Sequence, residues 1–87
     1  MTLEERNLNK HMGQKIKYYR ERYNLGKPNR DKITQEKLAE MVNVSTGLIG
    51  SLESEKKDQG CSIYTLWKIS KALHVSIEQF VWDSTTV

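Results

Sequence analysis

The residues best suited to chemistry in this sequence are basic side chains, and they are unevenly distributed along it. Residues 10–37 contain nine Lys or Arg and three acidic residues, so this part carries a net charge of +6. Residues 38–87 contain four basic and six acidic residues, a net charge of −2. Such a polarised distribution suits the binding of a polyanion on one side of the molecule. A solvated helix face is the alternative interpretation, and charge alone favours it.

Catalytic and metal-binding chemistry find no support in the sequence. His11 and His74 are far apart and have no carboxylate or thiol cluster at ligand spacing. The one cysteine, Cys61, cannot form an internal disulfide, and an incidental free thiol fits a reducing, cytoplasmic setting. No nucleophile elbow accompanies the Ser, His and Asp residues. We therefore predict no enzymatic activity, no cofactor, no metal and no small-molecule ligand.

The length of the chain limits what it can build. Its 87 residues predict one domain with a thin core, because a chain of this size buries only about 60% of its unfolded surface. The polar N-terminus excludes a signal peptide, and no apolar run approaches the roughly 20 residues that cross a bilayer. We predict a cytoplasmic protein without a membrane partner, divided into a flexible segment 1–9, a domain 10–82 and a tail 83–87.

Helical periodicity dominates the sequence between two polar loops, one around Pro28 and one at Ser54–Ser62. Apolar residues recur at i, i+4, i+7 and i+11 from Met12 to Tyr23 and at i, i+3 and i+7 from Leu66 to Leu73. No segment sustains the alternation of a strand. The pattern predicts an all-α fold of five helices, at residues 10–23, 35–41, 46–53, 63–73 and 77–82.

The stretch 34–53, TQEKLAEMVNVSTGLIGSLE, predicts two short helices joined by a tight turn. Thr34 and Ser45 each precede a helix, where a hydroxyl accepts hydrogen bonds from the unpaired N–H groups of the first turn. Asn43 tolerates the left-handed conformation that ends the first helix. The positions predicted to face inward are Leu38, Met41, Ile49 and Leu52. This is the pattern of a helix-turn-helix, whose second helix can lie in the major groove of DNA.

With these features the sequence resembles the Cro/C1-type (XRE-like) helix-turn-helix family of bacterial and phage transcription regulators. The resemblance covers residues 12–82 and rests on the segments MGQKIKYYRER, TQEKLAEMVNVSTGLIGSLE and SIYTLWKISKALHVSIEQF. In the last of these, His74 occupies a place that is often Gly. The resemblance implies a compact, lambda-repressor-like five-helix bundle that binds double-stranded DNA.

The resemblance also implies roles for individual residues. It makes the helix from Ser45 to Glu53 the recognition helix, and it pairs Arg20 of the first helix with Glu53 at the end of the recognition helix. It assigns base contacts to the outward positions of the recognition helix, Thr46, Gly47, Gly50 and Ser51. Phosphate contacts are expected at Gln35, Ser45, Lys37, Lys56 and Lys57. Lys27 and Arg30 are added as phosphate-contacting candidates because the loop that holds them is basic.

Two departures from the family pattern bear on DNA recognition. The outward positions lack Arg, Asn and Gln, which make the strong bidentate base contacts. The two glycines permit close backbone approach to DNA, or they mean that the helix recognises little sequence. The loop 24–33 is longer than the family form by roughly seven residues, and the loop after Glu53 by about two. Because loops accept length cheaply, the first is either a neutral insertion or an extra DNA contact.

The final helix raises the question of a partner. A dimer interface is predicted at Ile77, Phe80, Val81 and Trp82, and completion of a monomer core is the alternative. A dimer would place two recognition helices one DNA turn apart, about 34 Å. The sequence thus predicts a small transcription regulator that binds double-stranded DNA specifically, a repressor acting as a homodimer. The alternative function is a protein-interaction module or antitoxin-like partner that keeps the fold with weak DNA recognition.

Overall fold

The computed structural model describes residues 2–82, and the predicted tail 83–87 lies outside them. This part of the chain contains five α-helices and one short 3₁₀ turn at Asn29–Asp31, with no strand among the described residues. The prediction of an all-α fold is confirmed. In chain order the helices are α1 (Leu3–Asn24), α2 (Gln35–Val42), α3 (Thr46–Glu53), α4 (Ile63–Leu73) and α5 (Glu78–Val81).

The first helix begins seven residues earlier than predicted. Thr2 caps it: its hydroxyl accepts from the Glu5 N–H at 3.1 Å, and the Glu5 carboxylate accepts from the Thr2 N–H at 3.2 Å. This reciprocal capping box satisfies two N–H groups that would otherwise lack partners. The predicted start at residue 10 was wrong, because apolar periodicity begins only at Met12 and the turns before it are polar. Residues 3–9, expected to be flexible, are helical. Domain boundaries at residues 10 and 82 stay predictions.

The core lies where α1 crosses the rest of the bundle. α1 packs against α3, α4 and α5, and α2 packs against α3 and α4. The apolar periodicity of α1 places Met12 and Ile16 in this core, and Tyr19 and Tyr23 pack against its edge. The buried apolar residues are Met12, Ile16, Ile33, Leu38, Ala39, Val42, Ile49, Leu52, Leu66, Ile69, Leu73 and Phe80. They form one cluster, so the five helices stabilise one another.

Two helices end on non-glycine residues in the left-handed conformation. Asn43 has φ 58° after α2 and His74 has φ 57° after α4, so the predicted role of Asn43 is confirmed. The Val44 N–H then reaches back to the Ala39 carbonyl at 3.0 Å, which closes the turn of the helix-turn-helix. The predicted inward position of Met41 was wrong: Met41 is 46% exposed and Val42 is 1% exposed. α2 is one residue longer than predicted. Its buried residues Leu38, Ala39 and Val42 follow i, i+1 and i+4, and Met41 lies off that side of the helix.

Candidate nucleic-acid interface

The two helices of the helix-turn-helix begin on side-chain caps. The Thr34 hydroxyl accepts from the Lys37 N–H at 3.0 Å, and the Ser45 hydroxyl accepts from the Leu48 N–H at 3.0 Å. Each cap fixes the first turn of its helix and leaves other N–H groups of that turn pointing outward. The N-terminus of α3 lies directly after the turn, so its first residues are presented to solvent.

The outward face of α3 consists of the four residues predicted to contact bases. Thr46 and Gly47 are exposed, and Gly50 and Ser51 are half-buried. Spacing of i, i+1, i+4 and i+5 places all four on one side of a helix. The opposite side carries Ile49, Leu52 and Glu53, all buried. The structure therefore brings the four residues together as a narrow surface of small side chains.

Neither glycine on this face is required by packing within the chain. A Cβ added at Gly47 would meet nothing closer than the Ser45 hydroxyl at 3.9 Å. A Cβ added at Gly50 would lie 3.5 Å from the Gln35 side-chain oxygen, an ordinary contact distance. Both positions have room for a methyl group, so the absence of side chains there needs a reason outside the folded monomer.

The buried carboxylate of Glu53 joins three helices. Arg20 of α1 donates from Nε to Oε2 at 2.8 Å and from a terminal nitrogen to Oε1 at 2.9 Å. Gln35 of α2 donates to Oε1 at 3.1 Å. Arg20 also donates to the Ile33 carbonyl at 3.2 Å. The hydrogen bonds to Glu53 raise the pKa of Arg20 above its ordinary value, against the opposing effect of burial. This network fixes the end of α3 relative to α1 and α2.

The network gives Gln35 a partner inside the protein. Its side-chain nitrogen is used by Glu53, whereas its side-chain oxygen lies on the side of Gly50. A phosphate contact by Gln35 would therefore use the backbone N–H at the start of α2, or would require the side-chain amide to leave Glu53. Sequence reasoning paired Arg20 with Glu53 and treated Gln35 separately.

The predicted phosphate-contacting residues fall into two groups. Lys37 lies exposed in α2, Ser45 caps α3, and Lys56 and Lys57 are exposed in the loop that follows α3. Those four and Gln35 belong to the helix-turn-helix and the loop that leaves it. The other group comprises Lys27 and Arg30, which belong to the loop between α1 and α2.

The loop between α1 and α2 is held to the protein at both ends. Asn24 donates to the Ile33 carbonyl at 2.8 Å and accepts from the Ile33 N–H at 2.7 Å. The Lys27 ammonium lies 3.3 Å from the centre of the Tyr23 ring, a cation–π contact. Tyr23 in turn stacks on His74 at the end of α4. Lys27 thus has a contact within the fold, whereas Arg30 is exposed in the 3₁₀ turn.

The predicted dimer residues do not share one surface. Phe80 is 0% exposed, so its assignment to a dimer interface was wrong. Its ring packs edge-on against Tyr19 at 5.6 Å between centroids, because α5 closes the core over α1. Ile77 packs against the core and is half-buried. Val81 and Trp82 are exposed, Trp82 by 65%.

Gly13 is a structural residue that sequence reasoning missed. A Cβ at this position would overlap the carbonyl oxygen of Leu52 and lie 3.0 Å from its carbonyl carbon. α1 and α3 therefore cross with their backbones in direct contact at Gly13. A glycine inside an otherwise regular amphipathic helix was the available signal, since such a residue weakens the helix unless packing requires it.

Comparison with known proteins places this geometry in a family. A family model described as helix-turn-helix matches residues 29–80, which include α2 to α4 and all but the last residue of α5. Neither the curated proteins nor the solved structures contain a match to the chain. Among residues 2–82, no helix combines the length and apolar character needed to cross a membrane. The same residues hold no cluster of three or more His, Cys, Asp or Glu suited to a metal ion. The matched domain indicates a DNA-binding regulator. The chain belongs to the Cro/C1-type (XRE-like) helix-turn-helix family.

Proposed function

We propose that this protein binds specific sequences of double-stranded DNA and represses transcription as a cytoplasmic homodimer. The observation that carries the proposal is that the outward face of α3 has no large side chain. This face holds only small residues, and the opposite side of the helix is fixed by the part-buried hydrogen bonds of Arg20 and Gln35 to Glu53. A rigid helix with a slim exposed side fits a major groove closely.

Binding would use two kinds of contact, one to phosphates and one to bases. Lys37, Lys56 and Lys57, with the N–H groups at the starts of α2 and α3, would contact phosphates and fix the position of the protein on the duplex. Thr46 and Ser51 would contact base edges, and Gly47 and Gly50 would let the backbone approach. Because phosphate contacts release counterions, affinity should fall steeply with salt. Small contact residues leave a large share of the specificity to DNA shape and bound water.

Removing the hydroxyls of Thr46 and Ser51 from the outward face of α3 tests direct base contact. We expect Thr46→Ala with Ser51→Ala to keep the fold, because Ser45 caps α3 and the buried side of the helix faces away from both residues. The affinity for a duplex selected from random sequences, relative to that for an unselected duplex, should fall by about tenfold or more, since each base contact is worth roughly 1–3 kcal/mol. Fluorescence anisotropy on both duplexes measures the ratio.

The matched control for that variant is Lys56→Ala with Lys57→Ala. These substitutions should weaken binding to every duplex alike and reduce the salt slope by about one for each phosphate that is no longer bound. If the Thr46→Ala, Ser51→Ala protein kept the wild-type preference for the selected duplex, Thr46 and Ser51 would be rejected as base contacts. Absence of any duplex binding at low salt would reject the proposed function itself.

Alanine substitutions at the two glycines on the outward face of α3 separate an effect on stability from an effect on DNA binding. Gly47→Ala and Gly50→Ala should each stabilise α3 by up to about 1 kcal/mol, because alanine has the higher helix propensity and both sites have room. If the glycines serve close approach, the same variants bind duplex DNA more weakly than the wild type. Thermal denaturation and anisotropy report the two effects. Raised stability with unchanged affinity would show that the backbone does not approach the DNA at these positions.

A protein-interaction module or antitoxin-like partner is the second candidate function. This function is favoured by the exposed side chains of Val81 and Trp82 and by the small residues on the outward face of α3. Selection of bound sequences from random duplex DNA, with a mass measurement of the same sample, distinguishes the two. Enrichment of a defined sequence supports the regulator. No enrichment from a monodisperse, folded protein supports the interaction module.

A further inference from the structure

One side of α1 follows the chain from the end of α3 into the loop that leaves it, residues 54–62. Gly13 touches the carbonyl group of Leu52, near the end of α3. Closer to its N-terminus, α1 contacts the loop itself through Asn9 and Arg6. Positions 6, 9 and 13 have the i, i+3 and i+7 spacing of one side of a helix. The side of α1 that supports α3 therefore continues as a support for the loop.

Asn9 and Arg6 hold the middle of this loop. The Asn9 side chain donates to the Asp58 carbonyl at 3.4 Å. The Asn9 side-chain oxygen also lies close to Gly60, where an added Cβ would be 2.8 Å from it. The Arg6 guanidinium pairs with the Asp58 carboxylate, with 3.7 Å between Nε and Oδ2. The loop is thus bound to α1 at Asp58 and packed against it at Gly60.

Lys56 and Lys57 lie between two restraints on the loop backbone. On one side, the Ser54 hydroxyl accepts from the Lys56 N–H at 3.2 Å, and the Ser54 carbonyl accepts from the Lys57 N–H at 3.5 Å. On the other side, Asp58 is held by α1. Both lysines are exposed. The backbone that carries them is therefore restrained, while their side chains remain in solvent.

Arg6 also changes the charge around the two lysines. Lys57 is followed directly by Asp58, whose carboxylate would repel a phosphate, and Arg6 offsets that charge. The Arg6 and Asp58 side chains are 56% and 37% exposed, so solvent screens the pair and it stabilises the fold little. An effect on the loop is therefore a better explanation of these contacts than an effect on overall stability.

We propose that the first turns of α1 position the loop after α3 for contact with a DNA phosphate, and that Asn9 and Arg6 are the positioning residues. Both act through Lys56 and Lys57 and do not contact the DNA themselves. A loop that is already held in its bound conformation loses less conformational entropy on binding, which raises the affinity. The inference rests on the proposed function, because that function supplies the phosphate.

Substitution of both positioning residues tests the inference. Arg6→Ala with Asn9→Ala should keep the Tm near that of the wild type, because both side chains lie outside the apolar core. The affinity for duplex DNA at low salt should fall about three- to tenfold, the equivalent of two surface interactions. The preference for a selected duplex over an unselected one should not change, because phosphate contacts carry no sequence information. Fluorescence anisotropy measures both quantities.

The same two substitutions in a protein without the loop lysines separate positioning from direct contact. In the Lys56→Ala, Lys57→Ala background, Arg6→Ala with Asn9→Ala should cause no further loss of affinity, because the groups that they position are gone. An additive loss in that background would overturn the inference, since Arg6 or Asn9 would then contact DNA directly. Without DNA, the amide hydrogens of residues 56–58 should exchange faster in the Arg6→Ala, Asn9→Ala protein. Unchanged exchange would overturn the inference too.

The matched control is Asn7→Ala, the same change as Asn9→Ala at an exposed residue on another side of α1. It should leave the affinity and the exchange of the loop unchanged, and an equal effect of Asn7→Ala would contradict the inference. Wild-type affinity in the Arg6→Ala, Asn9→Ala protein would overturn the inference and leave the proposed function standing. A wild type that binds no duplex DNA would instead overturn the proposed function, and the role of the loop with it.

Discussion

Gly13→Ala is expected to destabilise this domain severely. The added methyl group would overlap the Leu52 carbonyl, and both groups at the contact belong to the backbone. Neither side can yield by changing a rotamer, so α1 and α3 must move apart along the whole core. We expect a loss of at least about 3 kcal/mol, above the usual cost of overpacking with side chains. For a domain of this size that lowers the Tm by roughly 12–24 °C.

The same substitution in another helix provides the control. Gly→Ala inside a helix ordinarily stabilises by about 1 kcal/mol, and Gly47→Ala in α3 should stabilise because its Cβ would meet nothing closer than the Ser45 hydroxyl at 3.9 Å. Circular dichroism at 222 nm during heating compares the two variants with the wild type. A Gly13→Ala protein with an equal or higher Tm would show that α1 and α3 do not cross as closely as described.

Arg20→Ala is expected to be the next most damaging substitution. The Glu53 side chain is 2% exposed and receives two of its hydrogen bonds from the Arg20 guanidinium. Without that guanidinium, a negative charge stays buried at the C-terminus of α3, where the helix dipole already disfavours it. Removing one partner of such a pair costs about 3–5 kcal/mol. Most of the total stability of so small a domain would be lost.

A double substitution shows whether the loss comes from the stranded charge. Arg20→Met with Glu53→Leu removes both charges and should be more stable than Arg20→Ala alone, because apolar side chains replace a buried ion pair at little cost. Arg20→Lys should lie in between, since it keeps the charge and loses the two-pronged hydrogen bonding. Urea denaturation of the set gives the free energies. Equal stability of Arg20→Ala and wild type would mean that Glu53 does not depend on Arg20.

The helix-turn-helix was the part of the fold most open to prediction from sequence. Its helix starts depend on Thr34 and Ser45, whose hydroxyls cap residues three positions away, and its turn depends on Asn43. Both kinds of signal act between near neighbours in the chain, so the residue types alone identify them. The bounds of α3 and α4 agree with the prediction for the same reason. The prediction for Met41 failed because Ala39 is buried beside Leu38, and these two residues share their side of α2 with Val42 rather than with Met41.

The features that escaped prediction depend on distant parts of the chain. Gly13 is needed because Leu52 crosses it. A glycine inside a helix indicates a close contact, but nothing near Gly13 in the sequence identifies the residue that makes it. Phe80 was assigned to a surface because a short apolar helix suits a core and an interface equally well. The hydrogen bond from Gln35 to Glu53 depends on how α2 and α3 meet. The base contacts of α3 remain predictions, since its small outward residues do not indicate which bases they would contact.

The contact between α1 and α5 has a consequence for how the chain folds. The Tyr19 hydroxyl donates to Gln79, 60 residues further along the chain, and the Tyr19 ring packs on Phe80. The helix-turn-helix lies between these two points, so its core is complete only after both flanking helices have docked. Long-range closure of this kind slows folding relative to purely local helix pairing. Amide hydrogens in α2 and α3 should therefore exchange mainly through global unfolding, so that the recognition helix is either fully formed or absent.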